Sequence, residues 1–333
     1  MNFQNIKPIE SAENILDLAF STAKKEGELI WMESKNKNRV IRTKNAEITR
    51  LNYASKIMVK RLNKIYSSFP KIIELPEVYV ELISHNLDLN QFKISLSKIK
   101  KSFVKIKELE NFYVKSIKNM EDTLLITKQR NSFYARSSSI MNKISKDLKL
   151  LEKYRHVLKK LPDLKEDLFT IVICGYPNVG KSTLLNKLTN CNVKISNYSF
   201  TTTNINVGYL ILEDDKIQLV DVPGTFNRDK TKMNYIEKNA ITVIEKGCDI
   251  IFFLIDVSEY CGYSVDEQIK LFNRVLKLTD KKIILILNKI DLCSIKQIND
   301  VKDLFKENLI LEVSLLKDKN IDKIIKLIKK EKK

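Results

Sequence analysis

A chain of 333 residues with 44% apolar side chains and a formal net charge of +18 is too apolar for a disordered polymer and long enough for roughly two domains. It contains no uninterrupted apolar run of roughly 18 residues, as a membrane-spanning helix needs, and no basic-then-apolar start of the kind a secretory leader has. Its five cysteines (Cys174, Cys191, Cys248, Cys261 and Cys293) are odd in number and not spaced like zinc ligands, and His85 and His156 are its only histidines; reduced thiols are expected, and a histidine-based metal site or a Ser–His–Asp triad is not.

The first half reads as helix. Residues 1–166 carry 33 Lys+Arg against 19 Asp+Glu, whereas 167–333 carry 26 against 22, so the positive excess lies early and points to a polyanionic partner. Only Gly27 of the seven glycines precedes residue 167, which leaves little tight-turn chemistry for a β-meander. The spacing predicts an all-α helical bundle domain over 1–166, with helices over 11–25, 44–66, 77–86, 89–127 (with room for a break) and 132–160. Pro70 and Pro76 interrupt it and Pro162 closes it. In the last helix Ile140, Ile144, Leu148, Leu151 and Leu158 share one face, and Lys143, Lys146, Lys149, Lys153, His156 and Lys160 fall opposite. Such a stripe fits a solvated surface and a nucleic-acid contact equally well.

The second half alternates. Apolar, β-branched runs at 169–174, 205–212, 217–220, 250–255, 283–287 and 309–313 are separated mostly by helical patterns at 181–188, 234–246, 265–278, 295–305 and 321–330. This is the pattern of an α/β domain over 167–333, with a mostly parallel, doubly wound sheet. The link at 213–216 is too short for a crossover, so the second and third strands are expected to pair antiparallel.

Motifs in this half carry the chemistry. Gly175-Tyr176-Pro177-Asn178-Val179-Gly180-Lys181-Ser182, followed by Thr183, matches G-x-x-x-x-G-K-[ST] between a strand and a helix, where backbone N–H groups cradle phosphates. Lys181 is expected on the β- and γ-phosphates and Ser182 on Mg²⁺. Asn288-Lys289-Ile290-Asp291 follows the strand at 283–287, and a carboxylate at Asp291 accepts from both N1–H and the exocyclic amine of guanine, a donor pair adenine lacks. Asp221-Val222-Pro223-Gly224 is placed for Mg²⁺ through water at Asp221 and for a γ-phosphate contact at the Gly224 N–H. Within Phe200-Thr201-Thr202-Thr203, Thr202 is expected to complete the Mg²⁺ shell. The backbone at Ser314 and Leu315 is expected near the guanine carbonyl. Lys181, Thr202 and Gly224 are the expected catalytic groups in a P-loop GTPase domain that binds GTP and GDP.

The segments 175–182, Tyr198-Ser-Phe-Thr-Thr-Thr203 and 221–224 resemble the Obg-like GTPases. The stretch Ile255-Asp-Val-Ser-Glu-Tyr-Cys-Gly-Tyr-Ser264, with Glu267-Gln268, Leu271-Phe272 and Ala240-Ile241-Thr242, narrows this to the nucleolar GTP-binding protein family. Residues 75–89 and 127–162 are similar to that family's helical domain. The resemblance implies a factor that assists large ribosomal subunit assembly and contacts rRNA, here through Lys128, Arg130, Arg136, Lys143, Lys146 and Lys153. It implies slow hydrolysis, because Thr225 stands where small signalling GTPases carry a water-orienting glutamine, and a K⁺ ligand at Asn178. Ending at Lys333, the chain looks like the shorter archaeal members, so a cytoplasmic monomer without stable membrane association is expected, nucleolar if the source is eukaryotic. Two other readings stand beside it: a GTP-binding module with little hydrolysis, and a GTPase that uses its basic bundle on an anionic membrane.

Overall fold

A computed structural model describes residues 3–189, 205–213, 215–224, 233–305 and 308–332. The described residues divide into two compact units, one of 3–74 and 87–160, the other of 75–86 and those from 161 onward.

The first unit is built from helices α1 (Ala12–Glu33), α2 (Arg39–Ser68), α4 (Leu89–Lys118), α5 (Thr123–Lys143) and α6 (Ser145–Leu158). Each of the first four starts at a side-chain cap: Ser11, Asn38, Asp88 and Asp122 accept from N–H groups of the first turn. Apolar residues at steps of three, four and seven, such as Leu51, Ala54, Met58 and Leu62 on α2 and Ile99, Ile106 and Tyr113 on α4, are buried together with Ile15, Phe133 and Leu151. Polar pins cross this core. Ser95 Oγ donates to Asp147 Oδ1 at 2.9 Å and Lys98 Nζ reaches the same oxygen at 3.1 Å, joining α4 to α6.

Helix boundaries differ from expectation in several places: α1 runs to Glu33 rather than ending at 25, α2 starts at Arg39 rather than 44, and two long helices are divided. The helix expected over 89–127 ends at Lys118, because Asn119 closes it and Asp122 opens the next one, accepting from Leu124 N–H at 2.7 Å. The helix expected over 132–160 is the end of α5 plus α6, parted at Ile144 with φ −95° and ψ 2°. Ile144 remains buried, so the apolar stripe continues across the joint.

The second unit is a six-stranded sheet, ordered β2-β3-β1-β4-β5-β6, from β1 (Thr170–Cys174), β2 (Asn206–Leu212), β3 (Asp215–Asp221), β4 (Ile250–Asp256), β5 (Lys282–Asn288) and β6 (Ile310–Glu312). Among the described strands of this sheet only β2 and β3 pair antiparallel, as the short link requires. Helices α7 (Lys181–Thr189), α8 (Tyr235–Lys246), α9 (Val265–Leu276), α10 (Ile295–Asp303) and α11 (Ile321–Lys332) alternate with the strands. Every residue of β1 and β4 is buried, as strands covered on both faces are.

A segment from early in the chain belongs to this unit. Helix α3 (Glu77–Ser84) packs on α8. His85 Nε2 lies 2.9 Å from Thr242 Oγ1, and Lys246 pairs with Glu81 at 2.9 Å. The wholly buried Tyr79 hydroxyl donates to Pro162 O at 2.9 Å and accepts from Leu164 N–H at 2.7 Å.

Candidate nucleotide site

Parallel strands aim their carboxyl ends at one edge of the sheet, and ligands bind there in open α/β folds. Four segments meet at that edge: the loop after β1, the ends of β3 and β5, and the turn after β6.

The loop after β1 is shaped by positive φ. Gly175 has φ 137° and Gly180 φ 109°, and Asn178 sits left-handed at φ 61°. A side chain at Gly175 would stand 2.6 Å from Leu254 O, and one at Gly180 would strike the Asn288 amide. The loop therefore needs glycine there, and its backbone curves round a concavity of the kind that binds phosphate. Tyr176 is braced by stacking on Tyr263, with ring centroids 4.1 Å apart. Lys181, the first residue of α7, is buried and donates to Tyr176 O at 2.8 Å. Burial lowers its pKa, opposed by the Asp221 carboxylate. Ser182 and Thr183 follow on the exposed side of the helix start.

Asp221 closes β3 and accepts from Ser182 Oγ at 2.6 Å. Burial raises its pKa, while the Ser182 hydrogen bond and Lys181 oppose the shift. A buried carboxylate and a hydroxyl in contact are hard oxygen donors, and a Mg²⁺ held mostly by water and phosphate asks for no more from protein. Lys181 and Asp221 both carry charges whose burial is incompletely compensated, which a triphosphate and its cation would relieve. Three residues on, Gly224 lies so close to the first loop that a Cβ would run into Gly175 O. Gly224→Ala should therefore push the two loops apart; we expect thermal melting to report a loss of about 1–3 kcal/mol and nucleotide titration a weaker complex. Thr202, expected on Mg²⁺, and Thr225 lie outside the described residues.

Asn288 ends β5 and ties two loops. Its Nδ2 donates to Val179 O at 2.8 Å and its Oδ1 accepts from Leu315 N–H at 3.1 Å. Lys289 is left-handed, φ 59°, and its ammonium pairs with Asp256 at 2.6 Å. Asp291 lies in the short turn Ile290–Leu292. A hydrogen bond from Ser314 first, and Lys317 as a weaker influence, hold its carboxyl below the ordinary range. Ser314 is wholly buried, and Leu315 nearly so. The phosphate loop, the strand-end carboxylate and the Asn288–Asp291 segment are thus drawn together at one edge.

The residues expected on RNA lie in the helical unit. Lys128, Arg136, Lys143, Lys146 and Lys153 are exposed. Arg130 is instead engaged internally, donating to the buried Glu47 at 3.2 Å. Sequence reading missed the role of Asp256, a carboxylate at the end of an otherwise apolar central strand. The structure places it opposite Asn288 in the β4–β5 register, a pairing across 32 residues that no local pattern announces.

Comparison with known proteins agrees with this geometry. Residues 3–165 match the model described as the NOG1 N-terminal helical domain, and residues 170–289 that of the 50S ribosome-binding GTPase. An uncharacterized protein of the archaeon Methanocaldococcus jannaschii is 34% identical over 86% of this chain and 81% of its own length.

The chain belongs to the nucleolar GTP-binding protein 1 family. The Drosophila melanogaster member of the family is 30% identical over 96% of this chain. The chain spans about half the length of that relative, 48%. A crystal structure of a Plasmodium falciparum family member covers 49% of this chain at 30% identity and a TM-score of 0.41, and 85% of that protein's chain is matched. Its relatives make this chain one of a family of GTP-binding proteins with a P-loop GTPase domain. Among the described residues no helix is long and apolar enough to cross a membrane.

Proposed function

We propose that the chain hydrolyses GTP to GDP slowly and uses the bound nucleotide to control association with the precursor of the large ribosomal subunit through rRNA. The observation that carries the nucleotide part is the Asn288 bridge between Val179 O and Leu315 N–H. It sets the base-reading carboxylate Asp291 against the phosphate loop, at the two ends of one nucleotide. In this reading the N–H groups of Asn178–Thr183 and the Lys181 ammonium hold the phosphates. Ser182 and Asp221 hold a hydrated Mg²⁺, with Thr202 as a third ligand, and Asn178 offers a K⁺ ligand. A Mg²⁺ held there would neutralise charge on the triphosphate. Gly224 N–H contacts the γ-phosphate, a contact that hydrolysis removes. Single-turnover phosphate release with Mg²⁺, in K⁺ and in Na⁺ buffer, tests this. Slow release faster than in the Lys181→Ala variant supports it, no release refutes the hydrolytic part, and equal rates in the two salts remove K⁺.

The ribosomal part is supported by family membership, by the likeness of residues 170–289 to the 50S ribosome-binding GTPase family and by a basic groove. Lys98, Lys143, Lys146, Lys149 and Lys153 line a cavity of about 440 Å³ with Gln91 beside it. The one carboxylate there, Asp147, is already engaged by Lys98 and Ser95. The division into a basic helical domain, 1–166, and a G domain, 167–333, acting in a monomer, belongs to the same proposal, as does a cytoplasmic or nucleolar location. Phosphate contacts make affinity fall with salt. Replacing Lys143, Lys146 and Lys153 together by glutamine should make the negative slope of log affinity against log salt shallower by about 2–3. Filter binding to large-subunit rRNA across a salt series measures it.

A further inference from the structure

We propose that Asp256 is a positioning residue for the guanine nucleotide, acting by fixing Lys289; the inference rests on reading Asn288–Asp291 as the base-binding segment.

Asp256 is wholly buried at the end of β4. Every polar atom it has is occupied. Its Oδ1 accepts from Ser258 N–H at 3.0 Å and Ser258 Oγ at 2.6 Å. Its Oδ2 accepts from Cys261 N–H at 2.8 Å and from Lys289 Nζ at 2.6 Å. Gln268, itself buried, clamps the backbone: its Oε1 accepts from Asp256 N–H at 2.8 Å and its Nε2 donates to Asp256 O at 3.0 Å. A residue so restrained cannot drift, and neither can a cation attached to it.

The arrangement asks more of Asp256 than capping a turn requires. Ser258 and Cys261 would satisfy a neutral acceptor as well, whereas a buried carboxylate is costly unless a cation meets it. Among the described residues Lys289 is the cation in contact. Lys289 in turn holds a left-handed backbone, φ 59°, a conformation that persists for a non-glycine residue only where surroundings impose it. Asn288 fixes it on one side through Val179 and Leu315. Asp256 fixes the far end of the side chain. With both ends held, the methylene stem between them is a preformed surface beside Asp291, set before the purine arrives. Preorganisation of this kind strengthens binding by removing the cost of ordering a flexible side chain.

The test is a double-mutant cycle on the full chain with Asp256→Asn, Lys289→Met and both. Calorimetry reads Kd for GDP and for a non-hydrolysable GTP analogue, and thermal melting reads stability. Lys289→Met keeps the stem and removes the ammonium. Each single variant should weaken both nucleotides alike, by roughly tenfold, because the pairing lies away from the γ-phosphate. The double variant should be no weaker than the poorer single, because one coupling is lost once. Losses that multiply in the double variant, or an Asp256→Asn protein that melts lower yet binds within twofold of wild type, overturn the inference while the site reading stands. If Asp256→Asn does not fold, Lys289→Met decides alone: binding within twofold of wild type overturns the inference. A wild-type chain that binds no guanine nucleotide overturns the site reading and this inference together.

Discussion

Replacing Lys181 with alanine should remove GTP and GDP binding from any practical concentration range. The ammonium is held at the floor of the phosphate loop by the 2.8 Å bond to Tyr176 O, where burial excludes competing water. Charge-assisted hydrogen bonds contribute about 1.5–3 kcal/mol each, so losing two contacts to phosphate weakens binding by roughly two to four orders of magnitude. The empty protein should behave in the opposite sense. Burial lowers the Lys181 pKa below its usual 10.5, so at neutral pH the folded state carries a charge the unfolded state holds more comfortably. A Lys181→Met variant, which keeps the stem, should melt no lower than wild type at pH 7. Its advantage should shrink as pH rises towards 10.5, where the wild-type ammonium is shed in both states. Calorimetric titration and a melting series across pH check the two halves. A variant that still binds GDP tightly would mean that Lys181 does not reach the phosphates.

Replacing Asp291 with asparagine should exchange the base. The Ser314 hydrogen bond, and to a lesser extent Lys317, hold the Asp291 carboxyl low, so it stays ionised at neutral pH and only accepts. Its folded pKa is depressed, so this favourable ionisation is lost only as pH falls below 3.8 through the folded value. Guanine offers it two N–H donors. An asparagine amide keeps one acceptor oxygen but replaces the other with an NH₂ donor group, which suits the carbonyl that xanthine carries at the same edge. Two hydrogen bonds to a charged acceptor amount to about 3–6 kcal/mol, so GDP affinity should fall by at least roughly a hundredfold while that for xanthosine diphosphate rises. Competition between the two diphosphates for one labelled nucleotide measures the ratio. An unchanged preference for guanine would place base recognition elsewhere.

What was legible beforehand and what was not divide along a physical line. The phosphate loop was legible because its needs are local: Gly175 and Gly180 supply positive φ, and Lys181 and Ser182 follow at fixed offsets. The antiparallel β2–β3 pair was legible because four residues cannot make a crossover. The end of α4 was visible only in part, since Asn119 and Asp122 compete weakly with a long apolar periodicity that runs past them. The buried Asp256 network is local only in part: Ser258 and Cys261 follow in the same turn, whereas Gln268 comes from α9 and Lys289 from the end of β5, and no local pattern encodes the pairing with Lys289. Arg130 shows a distant partner that the sequence hides. A basic residue in a basic stretch reads as surface, yet Glu47, 83 residues earlier, draws it inward.

The placement of α3 has a consequence for how the protein is made. Its buried residues Val78, Leu82 and Ile83 leave the ribosome early, but α8, on which the helix rests, starts only at Tyr235. Translation at roughly 5–20 residues per second separates the two by on the order of ten seconds or more. For that interval the nascent helix lacks its seat, and the nucleotide-binding unit completes by recruiting a piece synthesised long before it. A recombinant fragment beginning at residue 161 would therefore lack part of its own fabric, and should require residues 75–86 to be supplied separately.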